Sequence, residues 1–233
     1  MKFYETLNIK KGINSFVGGG GKTSSIDKIA RELYSECKSV VFTTTTHIFP
    51  PDENFYGKPI INPSENDIIK ISKKGICAVG KSIDEKGKLT GVSEKTLEYL
   101  EKYFDYVLVE ADGSKRMPIK IPASHEPVIP KNSKHNICVI GLSSIGKKVS
   151  NCCFRYEIKN INKDIVVTNE FIENIIVSKD CLLKNINENK FTVLINQSDI
   201  NIKNAIELAN NINKKGIENV VISSLKNNYW ERI

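Results

Sequence analysis

Short apolar runs alternate along this chain with stretches in which apolar residues recur every third or fourth position. The first spacing suits buried strands and the second suits one face of a helix. An opening run at Ile13-Asn-Ser-Phe-Val17 precedes apolar residues at Ile26, Ile29, Ala30, Leu33 and Tyr34, the i, i+3, i+4, i+7, i+8 pattern of a helix. Ser39-Val-Val-Phe-Thr-Thr-Thr-Thr46 predicts a second, buried strand that Ile48-Phe-Pro-Pro51 stops. Ile76-Cys-Ala-Val79 predicts another, and Asp84-Glu-Lys-Gly87 a turn into Lys88-Leu-Thr-Gly91. Ser93 is placed to cap a helix carrying Leu97, Leu100 and Phe104 on one face. Tyr106-Val-Leu-Val-Glu-Ala-Asp-Gly113 then reads as an apolar strand ending in two carboxylates. Toward the C-terminus, Phe191-Thr-Val-Leu-Ile195 predicts a strand, Ile202, Ala205, Ile206, Ala209 and Ile212 a helix face, and Val220-Val-Ile222 a last strand. Alternating strands and helices imply an α/β fold with a mainly parallel sheet flanked by helices. No internal repeat or flexible linker interrupts the pattern, so residues 1–233 are expected to form a single domain.

Between the first strand and the first helix stand Gly18, Gly19, Gly20 and Gly21, followed by Lys22, Thr23 and Ser24. Strand, glycine turn and helix in that order predict a phosphate-binding loop and a P-loop NTPase-like fold. Glycines let backbone N–H groups approach phosphate oxygens without obstruction, Lys22 can reach the β- and γ-phosphates, and the Thr23 hydroxyl can ligate Mg²⁺. Phe16 stands where the full motif has its first glycine, leaving G-x-x-G-K-T from Gly18 to Thr23. A second match, Gly141-Leu-Ser-Ser-Ile-Gly-Lys-Lys148, has better glycine spacing. Lys148 replaces the metal-binding hydroxyl, and no helical apolar face follows, so this segment is assigned to a loop.

Glu110 and Asp112 occupy the region where a P-loop NTPase places the carboxylate that holds Mg²⁺ through water or orients the attacking water. If the strand continues to Asp112, both side chains point the same way. Thr43 to Thr46 offer a second hydroxyl, with Thr45 the candidate metal ligand. His47 and His125 titrate near neutrality and are acid/base candidates; His125 is preferred because it lies in a proline-rich loop. All eight prolines fall between Pro50 and Pro63 or between Pro118 and Pro130, each window following a strand end. These loops are expected to wall a pocket at the strand C-termini, where ligands bind in open α/β sheets. Lys115, Arg116 and Lys120 are candidates for binding phosphate or another anion, or are a solvated basic loop. Asn196-Gln-Ser-Asp199 resembles the guanine-reading N-K-x-D motif, with Gln197 in place of its lysine. Asn196 and Asp199 are therefore base-contact candidates, and ATP or GTP, with a lean to GTP, is the expected cofactor alongside Mg²⁺. Ser223 and Ser224 after the last strand are further base-contact candidates.

The formal charge of +7 favours anionic partners through long-range attraction. The lysines are scattered and not clustered with aromatics, which argues against nucleic acid. No apolar run approaches the ~20 residues of a membrane span, and residues 1–10 lack a signal peptide's apolar core, so no membrane association and a cytoplasmic location are expected. Cys37, Cys77, Cys138, Cys152, Cys153 and Cys181 show no metal-binding spacing. The adjacent pair Cys152-Cys153 is a candidate for binding a soft element.

Four segments taken together, Val17-Gly-Gly-Gly-Gly-Lys-Thr23, Thr43-Thr-Thr-Thr-His-Ile48, Val109-Glu-Ala-Asp-Gly-Ser-Lys-Arg116 and Pro122-Ala-Ser-His-Glu-Pro-Val-Ile-Pro130, resemble the YqeC-type accessory proteins of selenium-dependent molybdenum hydroxylases. The resemblance implies a bacterial protein acting in maturation of a selenium-containing molybdenum cofactor or its hydroxylase, with the cofactor and that enzyme as partners. Beside a nucleotide-hydrolysing role stand two alternatives: a non-hydrolysing chaperone for a nucleotide-bearing molybdenum cofactor, and an ATP-dependent kinase or ligase acting on a small anion.

Overall fold

The computed structural model describes residues 1–187 and 190–233. They form two compact units that share the chain in alternating segments. The first comprises Met1–Phe16, Thr23–Gly113 and Val128–His135; the second comprises Val17–Lys22, Ser114–Pro127 and Asn136–Ile233. Both are α/β with mainly parallel strands, as the alternating pattern predicts.

In chain order the first unit holds α1 (Phe3–Thr6), β1 (Gly12–Gly18, which leaves the unit after Phe16), α2 (Lys22–Ser35), β2 (Val40–Thr44), β3 (His47–Ile48), α3 (Glu53–Tyr56), β4 (Ile60–Ile61), α4 (Glu65–Ser72), β5 (Ile76–Gly80), β6 (Leu89–Thr90), α5 (Glu94–Tyr103) and β7 (Tyr106–Glu110). Its strands run parallel in the order β1-β7-β2-β5-β4. Every residue of β1 is buried, including two polar ones. The Asn14 side chain accepts from the Lys10 N–H at 2.9 Å and donates to the carbonyls of Lys10 and Gly12, and Ser15 hydrogen-bonds Ser133, so neither is left unsatisfied in the core. On α2, Ile26, Ile29, Ala30 and Leu33 are fully buried, while Tyr34 is 42% exposed and meets Phe55 edge-on. The apolar stripe is therefore one residue narrower than its spacing suggests. Ser93 caps α5 by accepting from the Thr96 N–H. The second strand ends at Thr44, ahead of the prolines, and His47–Ile48 forms a separate short strand paired antiparallel with Leu89–Thr90.

The second unit contains β8 (Ile119–Lys120), β9 (His135–Gly141, less its first residue), α6 (Val149–Cys152), β10 (Cys153–Phe154), α7 (Asn169–Val177), β11 (Phe191–Asn196), α8 (Ile202–Lys214), β12 (Val220–Ser224) and β13 (Tyr229–Arg232). β9, β11 and β12 are parallel neighbours, and β13 returns antiparallel beside β12. On α8 the buried face is Ala205, Leu208, Ala209 and Ile212. Ile202 and Ile206 are 40% and 39% exposed, so the stripe is rotated toward Leu208. The Gly141–Lys148 segment has no phosphate-loop helix: Leu142–Ser144 forms one 3₁₀ turn, and α6 is a single four-residue turn.

Register decides where the polar ends fall. In the first unit Glu110 is level with Phe16 on one side and Thr44 on the other. In the second, Asn196 is level with Gly141. Each unit thus gathers its candidate residues at the carboxyl edge of parallel strands. Among the described residues no helix is long and apolar enough to cross a membrane.

Candidate functional site

The glycine loop belongs to the second unit and is packed tightly there. The Gly19 N–H donates to the Val139 carbonyl at 2.9 Å, and the Gly20 N–H to Met117 at 3.2 Å. Gly20 has φ +82°, and a Cβ on it would lie 2.3 Å from the Gly141 nitrogen. Gly18, at φ +91°, would put a Cβ 2.2 Å from the Val139 oxygen. Both positions therefore need glycine for backbone conformation and for space. Lys22 is 3% exposed and its Nζ donates to the Gly18 carbonyl at 2.6 Å, folding the ammonium back over the loop. The expectation that all the glycine N–H groups converge on phosphate does not describe Gly19 and Gly20, which are spent on protein carbonyls. The first turn of α2, from Lys22 through Thr23 and exposed Ser24, supplies N–H groups with no acceptor inside the helix and the positive end of its dipole.

In the first unit, the Thr23 hydroxyl donates to Glu110 Oε2 at 2.8 Å. Glu110 is the last residue of β7 and is 6% exposed. Its carbonyl accepts from the Thr44 hydroxyl at 2.7 Å, and the next N–H, of Ala111, donates to Phe16 at 2.9 Å. These bonds hold the carboxylate where β1, β2 and β7 end. The strand stops at Glu110, so the alternation that would align Asp112 with it does not apply; Asp112 is buried in the segment beyond. The threonine row is used structurally: the Thr43 hydroxyl donates to Val79, and that of Thr45 to Val128 at 2.6 Å. His47 is exposed.

Asn196 holds the glycine loop. Its Nδ2 donates to the Gly20 carbonyl at 2.9 Å while its Oδ1 accepts from the Ser223 hydroxyl, and the residue is 4% exposed. Asp199 is exposed, with Oδ1 accepting from the Ser224 hydroxyl at 2.9 Å. Gln197, in a left-handed conformation, points its Oε1 at the Ser143 N–H. The hydroxyls of Ser223 and Ser224, the further base-contact candidates, donate to Asn196 and Asp199.

His125 is exposed on a turn whose other polar groups are tied down. The Glu126 N–H donates to Ala123, the Ala123 N–H donates back to Glu126 Oε2, and the Lys184 ammonium donates to the carbonyls of Ala123 and Ser124. Glu126 is 5% exposed and pairs with Lys120 at 2.9 Å and with Arg155. Burial disfavours its ionised form, but the two cations and the Ala123 N–H outweigh this and hold the carboxyl below its ordinary range. Lys120, itself 2% exposed, is therefore no solvated loop residue; Lys115 and Arg116 are exposed. Sequence reading missed Arg155 and Lys184, which no motif marks because each reaches this turn from far along the chain. Of the six cysteines only Cys37 is exposed; burial pushes the Cys153 thiol up to about 12, and the Cys152 sulfur donates to Lys148. Among the described residues no three His, Cys, Asp or Glu side chains are grouped to hold a metal ion.

Both units are α/β: the second holds the glycine loop and Lys22, and the first holds Thr23 with the buried Glu110 carboxylate at the carboxyl ends of its parallel strands. The chain belongs to the YqeC family, whose model, described as "YqeC protein", matches residues 14–157. It is 37% identical over 142 residues to the "Uncharacterized protein YqeC" of Escherichia coli (strain K12), covering 58% of this chain and 54% of that relative. The match thus spans about half the relative's length. No solved structure matches. The glycine loop, Glu110, Asp112 and His125 lie inside the family stretch; Asn196 and Asp199 lie outside it.

Proposed function

We propose that this chain is a Mg·NTP-binding protein that hydrolyses its nucleotide as an accessory factor in maturing a selenium-containing molybdenum cofactor or a selenium-dependent molybdenum hydroxylase, in the cytoplasm. The observation that carries the nucleotide reading is the 2.8 Å bond from Thr23 to Glu110, made by the residue next to the buried Lys22. A hydroxyl and a carboxylate held that close at a helix N-terminus fit an octahedral Mg²⁺ that takes its remaining ligands from phosphate and water. Within the second unit Lys22 would exchange its bond to the Gly18 carbonyl for phosphate oxygens and Asp199 would face the base; within the first, Glu110 would hold metal or water. The pathway rests on the four motif segments, all of which lie wholly within the family match from residue 14 to 157.

Calorimetric titration of ATP and GTP, with and without Mg²⁺, into the wild type, Lys22→Ala and Glu110→Gln tests this. Binding is expected to fall at least about a hundredfold without Lys22, the loss of a buried charge-assisted contact to phosphate. Glu110→Gln is expected to remove most of the Mg²⁺ dependence. Equal binding by wild type and Lys22→Ala would sink the reading.

One observation favours the non-hydrolysing chaperone instead: the Gly19 and Gly20 N–H groups are already bound to Val139 and Met117. A loop with two fewer donors aimed at phosphate stabilises a transition state less. Nucleotide that binds but is not turned over in the presence of the molybdenum hydroxylase would select this alternative.

A further inference from the structure

The second unit assembles cations around one aromatic ring, and nothing in the nucleotide reading uses them. The two-residue strands β8 and β10 pair in parallel with Lys120 level with Phe154, and the Ile121 N–H donates to the Phe154 carbonyl at 2.9 Å. This fixes the half-buried Phe154 ring and Arg155 after it. Arg155 Cζ lies 4.7 Å from the ring centroid, and Lys115 Nζ lies 4.9 Å from the same centroid. Both residues take left-handed backbone conformations, φ 64° and 50°, which long side chains adopt uncommonly. The fold therefore holds two like charges on a single ring at a conformational cost.

Among the described residues, the local carboxylates do not balance them. Glu126 is buried and shared between Arg155 and the buried Lys120. Glu157, two residues after Arg155, interacts with Tyr156. The Lys184 ammonium adds a further positive charge on the Ala123 and Ser124 carbonyls. The Phe154 ring attracts each cation through its quadrupole but neutralises neither. The Arg155 side chain is 30% exposed and has more donors than Glu126 takes, and Lys115 is exposed.

We infer that Lys115, Phe154 and Arg155 form a binding site for a phosphoryl group carried by a second small molecule, distinct from the nucleotide at Lys22. A planar guanidinium and an ammonium beside one ring present the fork and the point charge that recognise a phosphate dianion. The inference deepens the proposed function by giving its second substrate a charge class, and its test separates the two.

Inorganic pyrophosphate is titrated into wild type, Lys22→Ala, Lys115→Ala and Phe154→Leu, at low and at physiological salt. Lys22→Ala is expected to retain a pyrophosphate site, while Lys115→Ala and Phe154→Leu each weaken that site about tenfold, with a shallower salt dependence for Lys115→Ala. Lys115 is exposed, so its variant is expected to keep the wild-type melting temperature. Pyrophosphate binding that vanishes with Lys22→Ala, or that Lys115→Ala leaves unchanged, would overturn the site. Absence of ATP and GTP binding alongside Lys115-dependent pyrophosphate binding would instead remove the nucleotide reading and leave this site standing.

Discussion

Asp27, five residues after Lys22 on α2, carries a conflict between burial and charge. Its Oδ1 is buried without a hydrogen-bond partner. Burial raises the carboxyl above its ordinary range, against the pull of the Tyr56 hydroxyl and the Arg31 guanidinium. A raised carboxyl favours the neutral form in the folded state, so its contribution is fully present below the unfolded value and is lost as pH rises through the folded one. At neutral pH the ionised group is therefore a cost. Asp27→Asn is expected to stabilise the protein by about 1 kcal/mol near pH 7, and the gain should shrink toward zero below about pH 4. Thermal melts across that range decide it; a gain that persists in acid would mean packing, not charge, is responsible. At this same scale Lys22, Thr23 and Glu110 were legible because each stands in a local pattern of glycines or a strand end. The acceptors of the Gly19 and Gly20 N–H groups were not, since Val139 and Met117 contribute backbone carbonyls, which every residue has.

Among elements, α8 separates what periodicity reveals from what it misplaces. A 3.6-residue repeat locates a helix, but Ile202, Ala205, Ile206, Ala209 and Ile212 and the observed face through Leu208 fit nearly the same stripe. Only packing against α7 and β12 chooses between them. Leu208→Ala is expected to cost about 2–5 kcal/mol and Ile206→Ala, which is 39% exposed, markedly less. Denaturant midpoints for the two variants measure the difference, and equal losses would put the face where the apolar spacing alone suggests. The central strands were readable because burial on both faces makes them continuously apolar. The helices α4 and α7 went unread: they span eight and nine residues, too few turns to establish a period, and their caps at Ser64 and Thr168 are visible only once the helix is known. The closing strand β13 pairs through Tyr229–Arg232, whose mostly exposed, mixed side chains give no strand alternation.

Across the whole molecule, the formal charge of +7 bears on encounter with anions and leaves the fold unspecified. What composition conceals is the order of the segments: the chain changes unit after Phe16, Lys22, Gly113, Pro127 and His135. No single cut separates the units, which is why the sequence shows no linker. The Gly20–Asn196 bond spans 176 positions. A fragment ending before β11 retains the whole glycine motif and the whole family-matched stretch, yet lacks this support. Such a fragment is expected to lose nucleotide affinity at least about tenfold, the scale of a removed buried hydrogen bond with its unpaired partner. Calorimetry on the fragment, with Asn196→Ala in the full chain as its folded control, measures this; undiminished affinity in both would show that the loop stands without its clamp. The clamp also has a bearing on biosynthesis. The glycine loop leaves the ribosome 176 residues ahead of Asn196, and closing so long a loop comes late in folding. A nascent chain would thus display its lysine and glycines without a finished cradle until Asn196 has emerged, and competence for phosphate would wait on that residue.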